Sequence, residues 1–161
     1  MPDLLTHVLI AYVVGAAAVR WTDAPDRYLP LVLVGAAAPD AMKATVLLEV
    51  TAGTAFGIPY SFWGLHTLGG VVVLSGIGAV TLSAAERRRG FWMLAAGGVS
   101  HLVLDLFVVR VDGAAPPYLF PVSGWLPPAA NLYTRTDLWT IPVAAALALP
   151  VWVGRRRASS E

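Results

Sequence analysis

Residues 97–109 read GGVSHLVLDLFVV, an apolar run that carries two strongly polar side chains, His101 and Asp105. Residues four apart on a helix share a face, so the imidazole and the carboxylate can bind the same cation. In a segment this apolar, both groups are unfavourable unless they pair, face water or hold a metal. This stretch therefore predicts a membrane-embedded helix with a polar site.

The other two histidines of the chain also lie against apolar runs. His7 lies in LLTHVLIAYVV, residues 4–14, and His66 lies in WGLHTLGGVVV, residues 63–73. Asp40 follows a further apolar segment. Nitrogen and oxygen donors without sulfur suit Zn²⁺, and also Mn²⁺ or Fe²⁺. We therefore expect one pocket for a divalent metal, with zinc as the main candidate, built from His7, Asp40, His66, His101 and Asp105.

The composition indicates a membrane protein. The chain is 57% hydrophobic and 13% charged, with a mean hydropathy of +0.68, whereas a soluble domain is about 25% charged. It has no cysteine, which excludes disulfides and thiolate metal sites. A net charge of +1 is too small to favour a nucleic-acid surface, so we expect a lipid bilayer as partner and no nucleic acid.

We expect an all-α fold, a polytopic membrane helix bundle with about five transmembrane helices, forming a single domain over residues 1–161. A spanning helix needs about 20 mostly apolar residues, with about 17 as the lower limit. The apolar runs place the helices at about 4–19, 28–38, 66–85, 90–109 and 138–154. Residues 112–132 contain five prolines and predict a structured loop. Its aromatic residues are expected at interface depth: Tyr118, Phe120 and Trp125.

Residues 41–60 do not fit an ordinary span. They include Glu49, Gly53, Gly57 and Pro59, which do not suit a lipid-exposed helix. We expect this stretch either to complete the second element at membrane depth or to lie in the interface. A full extra crossing is the alternative.

The basic residues predict the orientation of the bundle. Arg20, Arg27 and the triplets at 87–89 and 155–157 make up eight of the eleven Lys and Arg residues. Placing them in the cytoplasm puts the N-terminus outside and the C-terminus inside. All five candidate ligands then fall at one depth on the outer side.

The order and spacing of these motifs resemble the YdjM-type family of membrane-bound metal-dependent hydrolases. That family is distantly similar to zinc-dependent phospholipase C and the zinc single-strand nucleases. The resemblance covers residues 4–125, and the loop PYLFPVSGW at 117–125 is part of it. The matching motifs are Thr6-His7, Ala38-Pro39-Asp40, Leu65-His66-Thr67 and SHLVLD at 100–105.

The resemblance implies roles for individual residues. It implies that His66, His101 and the two aspartates hold one metal, and that Asp105 bridges to a second metal held partly by His7. Asp40 and Asp105 are accordingly the expected catalytic residues. The chain departs from the family at positions 61 and 62, where the family has His-Arg and this sequence has Ser-Phe.

The sequence is compatible with three functions. The leading hypothesis is a membrane-embedded hydrolase with an outward-facing site, acting on a phosphoester such as a lipid headgroup. The alternatives are a non-catalytic membrane subunit that keeps the fold, or an ion- or proton-binding membrane protein. The lack of internal repeats argues against a typical transporter.

Several other polar residues have both a functional and a structural interpretation. Thr6, Thr67 and Ser100 stand beside the histidines and could hydrogen-bond substrate, although small hydroxyl residues also serve helix contacts. Glu49 has three possible roles: a metal ligand, a general base, or a residue whose side chain reaches the membrane interface. Two charged residues before the last helix could contact an anionic substrate or form a surface ion pair: Arg135 and Asp137.

Overall fold

The computed structural model describes residues 4–41, 43, 46, 52–56, 58–134 and 136–158. Within these residues the fold is mostly helical, as predicted. The helices are α1 (Leu4–Trp21), α2 (Leu29–Ala37), α3 (Leu68–Val80), α4 (Arg87–Asp105) and α5 (Thr140–Ala158). Three short 3-10 turns accompany them, at Asp26–Tyr28, Ala38–Ala41 and Phe62–His66. The strands β1 (Ala52–Ala55) and β2 (Ile58–Ser61) form an antiparallel hairpin.

The helix bounds differ from the expected ones where polar side chains and loop contacts decide them. The third helix begins at Leu68 rather than 66, because the Thr67 hydroxyl accepts a hydrogen bond from the Gly70 amide (3.2 Å) and caps it. It also ends at Val80, short of the expected 85. The fourth helix ends at Asp105 rather than 109, because the carbonyl of Leu106 accepts from the Ala130 amide (2.8 Å) in the following loop.

The arginine triplets lie inside helices rather than beyond them. Arg87 is the first residue of α4, and residues 155–157 lie in the last turn of α5. Arginine is a good helix former, so the apolar runs alone miss the start of α4 and the end of α5. The second helix ends near Pro39, because proline has no backbone N–H to continue the α-helical hydrogen bonding.

Helix lengths test the expected five crossings only in part. Among the described residues, α1 alone is both long and apolar enough to cross a membrane. At 1.5 Å per residue, α2 and α3 are about 14 and 20 Å long, short of the roughly 30 Å hydrocarbon core. Helices α4 and α5 have 19 residues each, and each carries three arginines at one end. A five-span bundle therefore stays a prediction.

The stretch at 41–60 is not an extra helical crossing. Its residues 52–55 pair with 58–61 as a hairpin whose first strand is exposed, so no continuous helix runs through 41–60. Glu49 lies outside the described residues, so its role stays open.

The bundle has a mainly apolar core with several buried polar side chains, and its outer surface is also apolar. Its buried polar side chains include Thr6, Ser75, His101 and Asp105. Large apolar residues are exposed on the outer surfaces of the helices, for example Val72, Ile77, Val103, Val143 and Leu147. Buried polar groups beneath an extended apolar surface are typical of a protein surrounded by lipid.

Helices α2 and α4 cross in direct backbone contact. A Cβ atom on Gly97 would lie 2.0 Å from the carbonyl oxygen of Val32, and one on Gly35 would lie 2.0 Å from that of Leu94. Small residues of this kind let membrane helices approach closely. This crossing brings the C-terminal half of α4 against the end of α2.

The proline-rich loop is structured, as predicted, and it packs on the start of α3. The amide of Leu68 donates to the Tyr118 carbonyl (2.7 Å), and that of Gly69 donates to the Phe120 carbonyl (2.9 Å). Tyr118 is buried, whereas Phe120 and Trp125 are exposed. The difference arises because Tyr118 packs with Val71 in the core.

Candidate metal centre

The structure brings all five candidate ligands together. His7 comes from the second turn of α1, and Asp40 from the 3-10 turn that follows α2. His66 is the last residue of the turn before α3. His101 and Asp105 lie on one face of α4, in its last two turns. Four segments that are distant in sequence thus converge, as the hypothesis of a common site requires.

Asp105 lies at the centre of this cluster. Its Oδ2 is 2.7 Å from His66 Nε2 and 3.7 Å from His101 Nε2. Its Oδ1 is 3.5 Å from His7 Nε2. The second carboxylate, Asp40, places Oδ1 3.5 Å from His101 Nε2. The two oxygens of Asp105 therefore face different histidines, which suits a bridging carboxylate.

The orientation of His101 is fixed from behind by helix α2. Its Nδ1 lies 2.7 Å from the carbonyl oxygen of Ala36. Because a carbonyl only accepts, Nδ1 carries the proton and Nε2 presents a lone pair to the carboxylates. Gly97 lies one turn before His101, so the backbone contact of α2 with α4 makes this hydrogen bond possible. Metal-binding histidines are commonly oriented in this way.

Several atoms of the cluster are buried without a hydrogen-bond partner among the described residues: His101 Nε2, Asp40 Oδ1 and Asp105 Oδ1. Leaving a buried polar atom unsatisfied costs about 1–3 kcal/mol, and more when it is charged. The imidazole rings of His7 and His101 also stack at 4.1 Å between centroids. Neutral histidine nitrogens and carboxylate oxygens that face one another are the donor set of a divalent cation.

The spacing of the donor atoms allows shared ligation. Two groups, each offering one donor atom per residue, have these atoms within 4.8 Å of one another. Ligands of one zinc ion lie within about 4 Å of one another, since twice the bond length of about 2.0–2.2 Å is the upper limit. Small side-chain movements are enough to bring donor atoms from 4.8 Å to within this ligand spacing. The two groups are His7 with His101 and Asp105, and Asp40 with His66 and His101.

A pocket of about 710 Å³ opens onto the cluster and is lined by Asp40, His66 and Asp105. His7 and His101 are fully buried behind it. Among the described residues, access to the cluster is through this pocket.

Two cations line the same pocket, Lys43 and Arg110. The Lys43 ammonium pairs with Asp40 Oδ2. The Arg110 guanidinium lies 3.4 Å from the Tyr118 hydroxyl, and its Nε has no hydrogen-bond partner among the residues that the structure describes. Lys43 and Arg110 are two of the three basic residues that the predicted orientation leaves on the outer side, with Arg135 as the third. This placement is the sequence signal that could have identified them.

The hydroxyl residues beside the histidines serve structural contacts. Thr6 and Thr140 join α1 to α5 through their hydroxyls (3.2 Å). Ser100 donates to the Gly97 carbonyl of its own helix (2.7 Å), and Thr67 caps α3. Asp137 accepts from the Thr134 amide (2.6 Å), whereas Arg135 lies outside the described residues. The structural interpretation therefore holds for the hydroxyl residues.

Comparison with known proteins gives one match. The family model described as YdjM inner membrane protein matches residues 1–160, which is nearly the whole chain. Comparisons with curated proteins and with solved structures found no significant match.

Proposed function

Because this chain belongs to the YdjM inner membrane protein family, we propose that it is a membrane-embedded, metal-dependent hydrolase of a phosphoester. The observation that carries this proposal is the cluster of buried, unsatisfied donor atoms beside an open pocket. A shared cation would satisfy the buried imidazole and carboxylate atoms that have no hydrogen-bond partner. A pocket that reaches the carboxylates gives a reactant access to the same atoms.

The distances suggest how the ligands would divide between two metal ions. One metal would be held by Asp105 Oδ2 and Asp40 Oδ1 together with the Nε2 atoms of His66 and His101. Asp105 Oδ1 and His7 Nε2 would contribute to a second. At such a site a divalent metal supplies Lewis acidity toward a phosphoryl oxygen.

The side chains on the pocket wall bind and orient the substrate. Lys43 and Arg110 provide two positive charges opposite a phosphoester, and guanidinium groups bind phosphate oxygens in a bidentate manner. The Asp40 side chain is 9% exposed, against 3% for Asp105. Asp40 therefore faces the pocket more openly than Asp105. Its Oδ2 lies on Lys43 and its Oδ1 lies toward His101. His7 and His101 are fully buried on the side of the cluster away from the pocket and exclude water there.

A non-catalytic subunit is the second candidate, and one observation favours it. At positions 61 and 62, where Ser61 lines the pocket, the chain lacks the His-Arg pair to which the resemblance points. A protein that lacks those groups can keep the metal for its fold alone. The two candidates differ in whether the bound metal supports turnover.

Metal analysis of the purified protein tests the site. We expect bound zinc in the wild-type protein and a sharp loss in His101→Ala and in Asp105→Asn. The matched control is Asp112→Asn, an exposed aspartate in the loop, which should keep its metal. Full occupancy in both α4 variants would remove this helix from the site. A wild-type protein without metal would favour an ion or proton path.

Hydrolysis of bis(p-nitrophenyl) phosphate by the zinc-loaded protein tests catalysis. We expect Arg110→Gln to keep its metal and to lose about tenfold or more in kcat/KM, since a hydrogen bond to a charged group is worth about 1.5–3 kcal/mol. Metal without hydrolysis would support the non-catalytic subunit.

A further inference from the structure

A second cavity, of about 550 Å³, runs beside the metal pocket. One wall is the start of α3, with Val72 and Val73, and the other is the loop at 119–122. The side chains along it are almost all aliphatic or aromatic. Its volume falls within the roughly 300–1,000 Å³ of ligand pockets, so it is large enough for a hydrocarbon chain. We call this cavity the α3 groove.

The α3 groove is continuous with the metal pocket. Ser61, Gly64, Thr67 and Phe120 line both cavities. A single elongated ligand can therefore occupy the two together. Its polar end would meet the carboxylates, Lys43 and Arg110, and the rest would meet only apolar side chains.

Backbone contacts build the α3 groove before any ligand binds. The loop is joined to α3 by the hydrogen bonds of the Leu68 and Gly69 amides to loop carbonyls. Gly69 permits this approach, because a Cβ atom there would lie 2.6 Å from Pro121 Cδ. Main-chain hydrogen bonds at a helix start hold the wall in place. The groove is thus a fixed feature of the fold.

The far end of the α3 groove opens on the outside of the bundle. Val72 and Val73 are 50% and 55% exposed on the outer surface of α3. In a membrane protein such a surface meets the acyl chains of the bilayer. A lipid can therefore enter from the side and keep its chain in an apolar environment throughout.

We infer that the substrate is a membrane phospholipid whose phosphate lies in the metal pocket and whose hydrocarbon chain lies in the α3 groove. This inference rests on the proposed function, because the phosphate position is that of the hydrolysed bond. A phospholipid substrate explains why a site with two cations lies next to a cavity with almost no polar side chain. A small water-soluble phosphoester would leave that cavity without a partner.

Photo-crosslinking tests the groove. The wild-type protein is placed in phosphatidylcholine nanodiscs with a trace of phosphatidylglycerol that carries a diazirine on its acyl chain. We expect crosslinks at 65–73 and 119–122 to be enriched severalfold over those at the exposed α5 residues Val143 and Leu147. Equal labelling of the groove and α5 would overturn the inference, because it would show only the general contact of a helix with lipid.

Filling the α3 groove provides the matched comparison. Val72→Trp and Leu119→Trp narrow it from its two walls, and each should lower groove crosslinking severalfold. Val143→Trp changes a valine of the same 50% exposure on α5 and should leave groove crosslinking unchanged. Elution as a single folded species in size-exclusion chromatography confirms that each variant is comparable. Unchanged crosslinking in both groove variants would also overturn the inference.

Two readouts separate this inference from the proposed function. If Asp105→Asn abolishes metal binding and hydrolysis but keeps the groove crosslinks, both proposals are supported. If the wild-type protein hydrolyses no phosphodiester but the crosslinks remain enriched, the hydrolase proposal fails and the lipid groove stands. If bis(p-nitrophenyl) phosphate is hydrolysed and the crosslinks are not enriched, the groove inference alone fails.

Discussion

The two ends of the bundle use the same types of charged residue in opposite ways. At one end, Arg27 pairs with Glu86 (3.3 Å) and Arg155 pairs with Asp26 (2.7 Å). The side chains of Arg27 and Asp26 are 68% and 70% exposed. We call this the basic end. At the opposite end Asp105 is 3% exposed among three histidines.

The difference in exposure determines what each cluster can do. Exposed ion pairs contribute little to stability, so the basic end acts mainly through its net charge, which favours the cytoplasmic side of a membrane. Buried carboxylates and imidazoles are unfavourable without a partner of opposite charge. The same kinds of side chain therefore give an orientation signal at one end and a candidate metal site at the other.

The largest expected effect is a difference in thiol labelling between the two sides of the membrane. Because the basic end should face the cytoplasm, an impermeant thiol reagent should label intact cells at Ala130→Cys and not at Thr22→Cys or Arg88→Cys. All three positions are exposed, and the chain has no native cysteine. Permeabilised cells serve as the control, in which all three should label. Labelling of residue 88 in intact cells would contradict the orientation.

A smaller effect should follow when the α2–α4 contact is disturbed. Gly97→Ala places a Cβ atom against the Val32 carbonyl, which should destabilise the protein by about 1–3 kcal/mol. It should also displace Ala36 from His101 and lower zinc affinity by about 10–100-fold. Thermal unfolding and zinc titration measure the two effects.

The control for this change is Gly76→Ala on α3, where a Cβ atom would have no neighbour within 4 Å. It should keep its zinc affinity. Equal loss of affinity in both variants would mean that the α2–α4 crossing does not position His101.

The smallest effect is expected at the basic end. Hydrogen bonding from the Ser83 hydroxyl, together with the charge of Arg27, holds the pKa of Glu86 below its usual range. Because the folded pKa is lowered, this stabilisation is present above the ordinary pKa of about 4.3 and is lost as the pH falls through the folded value. Glu86→Gln should therefore lower Tm slightly at pH 7.

The Tm difference for Glu86→Gln should disappear in acid, and added salt should reduce it. Its zinc content should match that of the wild type, since the two ends are separate. Loss of zinc in this variant would show that the ends are coupled.

The helical fold and the convergence of the five polar residues could be predicted from sequence. Hydrophobicity is a local property, so an apolar run indicates a buried or lipid-facing helix wherever it occurs. The basic residues oriented these runs and placed His7, Asp40, His66, His101 and Asp105 at a common depth. The helix ends were less predictable, since Thr67 decides one through a capping hydrogen bond and Pro39 another through its missing N–H.

Contacts that the apolar runs do not encode decided other parts of the fold. The alternative of an extra crossing at 41–60 was plausible by length, yet residues 52–55 pair with 58–61 as a hairpin. The loop at 112–132 was predicted to be structured, but only its docking on α3 determines that Tyr118 is buried. Neither contact leaves a periodic pattern in the sequence.

The sequence alone determined that the chain is a helical membrane protein with polar residues set into apolar runs, because composition and order are enough to state both. Only the tertiary structure decided that Asp105 stands between three histidines and that Arg110 lines the pocket. It also decided that Ala36 orients His101. These features depend on how closely helices cross, and that distance is set by pairs such as Gly97 and Val32, which lie far apart in the chain.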